Sequence, residues 1–213
     1  ALPSLTCTFT GAGAVPTDWN IDANWSCRRV PTIEDAVIIP DYTTVMVNED
    51  PTTANPREAY SLTIGVKAIL NVKNNTLTIS EATINKGLIN IFKDASILFG
   101  LNFPDSTTKN EKTTTSKPSF NNLDGNMIFY NNFLNEYDFD NRGFAAFQRN
   151  LTQTIDSFSS KRGTISFFGG YEQNVRTTYF STHKLSIDKE PRTSVNIDDT
   201  LMATQEIDLN EIY

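Results

Sequence analysis

The feature that most constrains the fold is a run of very short apolar segments between residues 62 and 99. Apolar and polar residues alternate within each segment, and Gly, Asn or Asp lies between one segment and the next. The segments are 62–64, 69–72, 77–79, 88–92 and 97–99. This pattern predicts strands. Strands so short and so closely spaced favour a solenoid, in which each strand is one side of a coil, over a sandwich of long strands.

The same pattern returns after a polar stretch at 104–118, which holds no residue suited to a core. The later apolar segments are 127–130, 144–147, 164–167, 185–187, 195–197 and 207–209. The last of them reaches the end of the sequence without a polar capping segment. Because an uncapped coil exposes strand edges, we expect the natural chain to continue.

The patterns predict an all-β fold, a right-handed parallel β-solenoid with an amino-terminal cap. Ile, Leu, Val and Phe would stack inside it, and Asn and Gly would form the corners, with ladders of Asn that satisfy one another's amides. The predicted divisions are a cap at 1–30, a first solenoid segment at 31–103, a polar loop or linker at 104–120, and a second solenoid segment at 121–213.

Charge and hydropathy limit the partners of this 213-residue chain. Its formal net charge of −7 repels phosphate backbones and anionic membranes, so we expect no nucleic-acid partner. No run of about 18 apolar residues occurs, so we expect no transmembrane segment in this chain. The opening residues, Ala1 to Ser4, are typical of a mature terminus left after a signal peptide is removed.

Two sets of motifs resemble those of a known family. The first reads DWNIDANWS at 18–26, VPT at 30–32, DAVIIP at 35–40, LTI at 62–64 and 77–79, and NKGLI at 85–89. The second reads GTISFFG at 163–169, then Gln173, Phe180 and LSI at 185–187. Both resemble segments of large, repeat-rich secreted surface proteins of the Bacteroidota, which use type IX secretion. The sequence GVKA at 65–68 departs from the family's usual tight corner.

The resemblance implies an extracellular protein at the cell surface, attached to the outer membrane or secreted. It implies a non-catalytic stalk or adhesin that serves cell-surface adhesion or gliding motility. The implied partners are surface polysaccharide or other surface proteins, together with assembly alongside surface or outer-membrane components. Two alternatives stay open: a β-helix enzyme that cleaves polysaccharide, and a carbohydrate-binding module.

The chain has two cysteines, Cys7 and Cys27, close together near the amino end. In a secreted chain this even count predicts one disulfide. Closing a loop of about 20 residues would contribute roughly 3 kcal/mol of stability. The alternative is a pair of buried thiols in a cytosolic protein.

The opening motif contains both tryptophans, Trp19 and Trp25. We expect them to cover the first coil as a structural cap, with Asn20 and Asn24 tying its corners. The alternative is a pair of exposed indoles that stack on sugar rings.

His183 is the single histidine, so the sequence does not indicate a Ser-His-Asp or Cys-His arrangement. We expect no histidine-based zinc site, because histidine and cysteine are too few. We expect His183 on the surface, no catalytic residue, no enzyme activity and no cofactor.

Acidic residues form three small groups, which are Glu136 with Asp138 and Asp140, Asp188 with Glu190, and Asp198 with Asp199. Paired carboxylates hydrolyse glycosides in some β-helix enzymes, and carboxylate oxygens also bind calcium. The alternation at 136–140 would place its carboxylates on one strand face. We expect a solvated face, with calcium as the one cofactor that this group could hold.

Two short motifs, Asp105-Ser106-Thr107 and Asp199-Thr200-Leu201, look like the O-glycosylation sequon of the Bacteroidota. Ser106 and Thr200 are therefore the predicted acceptors for a glycan.

Overall fold

The alternation of polar and apolar residues along each strand determines this fold, because successive side chains point to opposite faces and every second one is buried. In strand β2, Asp35–Ile39, the first, third and fifth side chains are buried, and Ala36 and Ile38 face outward. The structure is a computed structural model, and it describes residues 3–48, 57–115, 117–154, 158–177, 180–198 and 201–210. In these residues the chain winds as a parallel β-solenoid, which confirms the predicted all-β class.

Every third strand of the regular coils belongs to one nine-stranded sheet, which we call the first face. Each strand pairs in parallel with the equivalent strand of the next coil. Its strands are β1 (Leu5–Thr8), β2 (Asp35–Ile39), β5 (Ser61–Ile64), β8 (Thr83–Asn85), β11 (Thr107–Asn110), β14 (Asn132–Asn135), β17 (Leu151–Gln153), β19 (Gln173–Arg176) and β21 (Val195–Ile197).

The other strands belong to one 13-stranded sheet that supplies the second and third faces. The second face contains β3 (Thr44–Val47), β6 (Ile69–Val72), β9 (Leu88–Phe92), β12 (Ser119–Leu123) and β15 (Asp138–Asn141). The third face contains β4 (Arg57–Ala59), β7 (Thr76–Ile79), β10 (Ser96–Phe99), β13 (Asn126–Phe129) and β16 (Phe144–Phe147). The long strands β18 (Phe158–Gly169), β20 (Phe180–Lys189) and β22 (Leu201–Asn210) continue both faces.

Rows of identical positions along the coil axis fill the interior. On the third face the rings of Phe99, Phe129 and Phe147 lie in register, with centroids 4.8 and 4.9 Å apart and planes within 13° of each other. This separation matches the spacing of neighbouring strands, about 4.7–4.9 Å. Stacking therefore repeats from coil to coil.

Buried amides form a second kind of row, inside the corner between the first and second faces. Asn85 Nδ2 donates to Asn110 Oδ1 at 2.9 Å, and Asn110 Nδ2 donates to Asn135 Oδ1 at 2.7 Å. All three side chains are fully buried. A parallel ladder follows the corner between the second and third faces, where Asn122 donates to Asn141 at 2.7 Å. The coil thus contains the asparagine ladders expected from its sequence.

Strand β11 lies in the stretch predicted to be a polar loop or linker, 104–120. It pairs with β8 on one side and β14 on the other, so the coils continue through this stretch. The loop prediction is wrong for β11 and for residues 119 and 120, which begin β12. The inward side chains of β11 are Thr108 and Asn110, and the ladder pairs the amide of Asn110. An apolar pattern was therefore not needed here.

We call the corner between the first and second faces the first corner. One of its described connections is longer than the others. Its connections span 40–43, 65–68, 86–87 and 136–137, but the one between β11 and β12 spans 111–118. Gly87 permits the tight turn between Asn85 and β9, because an added Cβ would lie 2.2 Å from the carbonyl oxygen of Ala68. The connection between β11 and β12 is therefore the longest of the connections described at this corner.

Candidate functional site

The amino-terminal segment touches all three faces of the first coil. Strand β1 pairs with β2 on the first face. The backbone N–H of Trp19 donates to Met46 of β3 at 3.0 Å on the second face. Arg57 of β4 on the third face donates to Asn20 Oδ1. The segment thus covers the strand edges that would otherwise be open at this end.

Trp19 and Trp25 belong to this segment, and their side chains are buried, with 0% and 1% of their surface exposed. Their ring centroids are 4.7 Å apart at 69°, and Phe9 packs edge-on against Trp25 at 5.0 Å. Trp25 Nε1 donates to the carbonyl oxygen of Trp19 at 2.8 Å. Trp19 Nε1 is buried without a partner in the described structure. Neither indole offers a face on which a sugar ring could stack.

The two cap asparagines hold the loop between them. Asn24 is fully buried, and its Nδ2 donates to the carbonyl oxygens of Val15 and Asp18 at 2.8 and 2.7 Å. Its Oδ1 accepts from the backbone N–H of Gly13 at 2.6 Å. Asn20 is half-buried and donates to Asn48 at 3.3 Å. Both side chains serve backbone atoms of the cap or its neighbouring coil.

Cys7 and Cys27 form a disulfide with a Cα–Cα distance of 5.1 Å across 20 residues of sequence. The bond joins β1 to the end of the cap loop, so it closes the segment that holds both tryptophans. The predicted pairing is confirmed.

Changing both cysteines to alanine is expected to lower the free energy of unfolding by about 3 kcal/mol, because the unfolded chain regains the entropy of the open loop. Urea unfolding of the double variant beside the oxidised wild type measures this loss. Equal midpoints and slopes for the two proteins would show that the cap does not depend on the bond.

Asp35 is the first residue of β2, and its carboxylate holds the end of the cap segment through hydrogen bonds. It accepts from Arg29 Nη1 and Nη2 at 2.6 and 2.8 Å, and from the backbone N–H and hydroxyl of Thr32 at 2.8 and 2.9 Å. Burial opposes ionisation of the Asp35 carboxyl, but the hydrogen bonds from Arg29 and Thr32 outweigh it. The pKa of Asp35 is therefore lowered below its ordinary value of 3.8.

A lowered folded-state pKa means that the ionised Asp35 stabilises the protein above the unfolded-state pKa, and that this contribution is lost as pH falls through the folded-state pKa. We expect Asp35→Asn to lower stability at neutral pH by about 1–3 kcal/mol. The gap to wild type should narrow below about pH 4. Urea unfolding across pH measures both curves. A gap that stays constant down to the lowest pH would contradict this assignment.

The two predicted glycosylation residues differ in what can be said of them. Ser106 is half-buried, and its Oγ accepts from Asn131 Nδ2 at 3.0 Å. Asp105 beside it is exposed and pairs with Arg149 at 3.1 Å. Thr200 lies outside the described residues. Glycosylation stays a prediction for both.

The described members of the acidic groups lie at least partly on the surface, and some of them pair with basic side chains. Asp199 lies outside the described residues. Glu136 contacts Lys109 at 3.2 Å, and Asp140 contacts Arg142 at 3.3 Å. Asp198 contacts Arg176 at 3.4 Å. No group of three or more His, Cys, Asp or Glu side chains comes together in the part of the chain that the structure describes. His183 is half-buried and lies at the register shift in the pairing of β20 with β22.

Lys189 is a buried cation that the sequence did not single out. Its Nζ donates to Gln173 Oε1 at 2.8 Å, to Phe168 O at 3.4 Å and to Tyr171 O. Burial lowers the pKa of Lys189, and the charge of Glu190 partly opposes that shift. Three acceptors around one ammonium group stabilise the corner between the third and first faces, so we interpret Lys189 as structural.

Two outward surfaces were also missed. On the third face lies a depression of about 210 Å³, which is lined by Ile128, Phe144, Ala146, Ser166, Phe168 and Asp188. On the first corner, three lysines line a groove of about 200 Å³, which are Lys67, Lys86 and Lys117. Both sets come from different coils. The residues of each surface can be read in the sequence, but only the strand register shows that they lie close together.

The comparison with known families accounts for most of the described coils. The family described as domain of unknown function DUF8693 matches residues 9–154, which is more than half of the chain. The chain belongs to this family. Its match runs from the cap, at Phe9, to the residue that follows β17. No curated protein and no solved structure matches the chain.

The family match therefore includes the tryptophan cap, the inner asparagine ladder and the lysine groove. None of the helices in the described ranges is long and apolar enough to cross a bilayer.

Proposed function

We propose that this chain is a non-catalytic segment of an extracellular surface protein, acting as a stalk or adhesin that contacts surface polysaccharide or other surface proteins. The proposal includes a location at the cell surface and the relationship to Bacteroidota surface proteins that the motifs imply. It draws on the coil geometry and on where the polar residues lie.

The observation that carries the proposal is the alignment of equivalent side chains in rows along the coil axis. On the outward second face, Asn90 Nδ2 donates to Asn71 Oδ1 at 2.8 Å, and Asn121 Nδ2 donates to Asn90 Oδ1 at 3.2 Å. Such a row repeats a chemical group at the strand spacing of about 4.8 Å. A repeating surface suits a repeating linear partner, and extended solenoid surfaces serve binding in this way.

The chemistry available to an enzyme is also limited in the described residues. Buried amides such as that of Asn110 are engaged in ladders, Lys189 is surrounded by three acceptors, and Asp140 and Glu136 pair with cations. Catalytic acids and bases usually sit in a cleft with perturbed pKa values. These side chains instead support an interpretation of binding by shape.

Adhesion under flow tests the proposal. Beads coated with the chain should remain on surfaces coated with polysaccharide at shear rates that remove beads coated with serum albumin. Retention should disappear when free polysaccharide is added. Release of both bead types at the same shear, from every polysaccharide and from cell-surface protein, would contradict an adhesive role.

A further inference from the structure

The lysine groove lies where four successive connections of the first corner stack on one another. Backbone hydrogen bonds link them in order: Ile69 N donates to Thr43 O at 2.8 Å, Leu88 N to Ala68 O at 2.8 Å, and Ser119 N to Gly87 O at 2.9 Å. The floor is therefore a continuous ladder of backbone. Lys67, Lys86 and Lys117 come from three consecutive coils and line the groove above it.

The groove carries more positive than negative charge in a chain of net charge −7. Lys86 has one carboxylate neighbour, Glu111 at 3.9 Å, and Glu111 also contacts Lys109 at 3.7 Å. Among the described residues, Lys67 and Lys117 have no carboxylate within salt-bridge distance. Because charges separated by more than about 8 Å are screened at physiological salt, distant acidic residues do little to offset the charge of these lysines.

Backbone conformation gives a second, independent observation at the same place. Tyr42 and Lys67 occupy equivalent positions of the stacked connections 40–43 and 65–68, and both are left-handed, with φ of 59° and 56°. A bulky side chain in this conformation costs about 1–3 kcal/mol and often marks a functional site. At the corner between the second and third faces, the equivalent turns carry the short polar residues Asn74, Asp94 and Asp124.

The strained positions place an aromatic ring beside the cations. Tyr42 is 73% exposed, and Lys67 Nζ lies 5.4 Å from the centre of its ring. An exposed ring can stack on the face of a sugar, while the neighbouring ammonium groups bind an anionic substituent. The connection between β11 and β12 supplies Lys117 to the same groove.

We propose that this groove binds the carboxylate or sulfate groups of an acidic polysaccharide, with Lys67, Lys86 and Lys117 as anion ligands and Tyr42 as the sugar-stacking ring. The proposal rests on the proposed adhesive function and names the ligand class and the site. The groups lie along the coil axis, so one linear polymer can contact all of them.

Two other polyanions fit the surface less well. A duplex carries one charge per about 1.7 Å and binds through many phosphate contacts, whereas the groove offers three lysines on a protein of negative net charge. Recognition of an anionic bilayer typically uses clusters of about 4–8 basic residues, and this groove has three lysines. An acidic polysaccharide needs only a few anionic groups within reach.

Polymers that share one backbone provide the sharpest test. Binding of the full chain to dextran sulfate, carboxymethyl dextran and unmodified dextran is measured by biolayer interferometry, beside duplex DNA and vesicles of phosphatidylcholine with phosphatidylserine. The variant is Lys67→Gln with Lys117→Gln. The matched control is Lys73→Gln with Lys93→Gln, which removes the same charge from the corner between the second and third faces.

The wild type is expected to bind at least one anionic dextran, and unmodified dextran should not bind through the groove. The affinity of the groove variant for the anionic polymer should fall about tenfold, and its salt dependence should weaken, while the control variant binds as the wild type does. Thermal unfolding should be unchanged, because both lysines are exposed. Tyr42→Ala should weaken polymer binding without weakening the binding of inorganic sulfate.

Equal affinity of the groove variant and wild type would overturn the proposal, as would DNA or vesicles that bind as tightly as the anionic dextrans. Binding of neutral polymers alone would contradict the proposed anion site, but it would be consistent with the proposed adhesive function. If no polymer binds and the beads are released under flow, both proposals fail.

Discussion

Trp25→Ala is expected to lower the free energy of unfolding by about 3–5 kcal/mol and the Tm by about 10 °C. The indole is 1% exposed, packs against Trp19 and Phe9, and donates to the carbonyl oxygen of Trp19. Its removal opens a cavity directly over the first coil. Urea and thermal unfolding measure the loss. Val15→Ala, at a 51% exposed position of the same segment, should change stability by less than about 0.5 kcal/mol.

The two tryptophans offer a finer comparison, because only one indole N–H is paired. Trp25→Phe removes the hydrogen bond to Trp19 O, whereas Trp19→Phe removes a buried donor without a partner. Trp25→Phe should therefore be the more destabilising of the two by about 1 kcal/mol. Unchanged melting of Trp25→Ala would reject the capping role, and it would also require the indole to be exposed.

Asn110→Ala is expected to cost about 3 kcal/mol or more, since it leaves several buried polar groups without a partner. Asn110 accepts from Asn85 at 2.9 Å and donates to Asn135 Oδ1 at 2.7 Å and to the carbonyl oxygen of Asp138 at 3.0 Å. All these contacts lie inside the first corner, where water does not replace them. Urea unfolding measures the effect.

Asn121→Ala is the matched control for the ladder. Asn121 belongs to the next strand of the same coil and also donates to an asparagine, at 3.2 Å, but it faces outward and is half-buried. Water can pair the groups that it leaves, so we expect a loss below about 1 kcal/mol. Equal losses of unfolding free energy in the two variants would show that burial does not make the inner ladder more stabilising than the outer one.

The sequence predicted many of the strands whose inward residues are apolar, although β14 and β17, with Phe133 and Leu151 inward, were missed. The segment at 62–64 alternates clearly, and it forms part of β5. Strands β8 and β11 were missed because their inward residues are Thr and Asn, which usually indicate loops. Only the strand register shows that Asn85 and Asn110 stack and pair. The local pattern of polar and apolar residues predicts which way a side chain points. It does not predict which residue of another coil that side chain contacts.

The candidate sites follow the same division. The disulfide was predictable because two cysteines allow one pairing, and the burial of Trp19 and Trp25 agrees with their place in a capping motif. The lysine groove was not predictable, because first-corner connections of two, four and eight residues vary the coil period. Lys67, Lys86 and Lys117 therefore show no regular spacing along the chain, although they line one groove.

Binding without cleavage is the central claim, and the chain length of a retained polymer tests it most directly. The protein is incubated for a long period with a panel of neutral and acidic polysaccharides, and the polymers are then sized by gel filtration with light scattering. We predict that retained polymers keep their original size. Shortened polymer that depends on the protein, and that disappears when Asp138 and Asp140 are changed to Asn, would contradict the claim and favour a polysaccharide-cleaving enzyme.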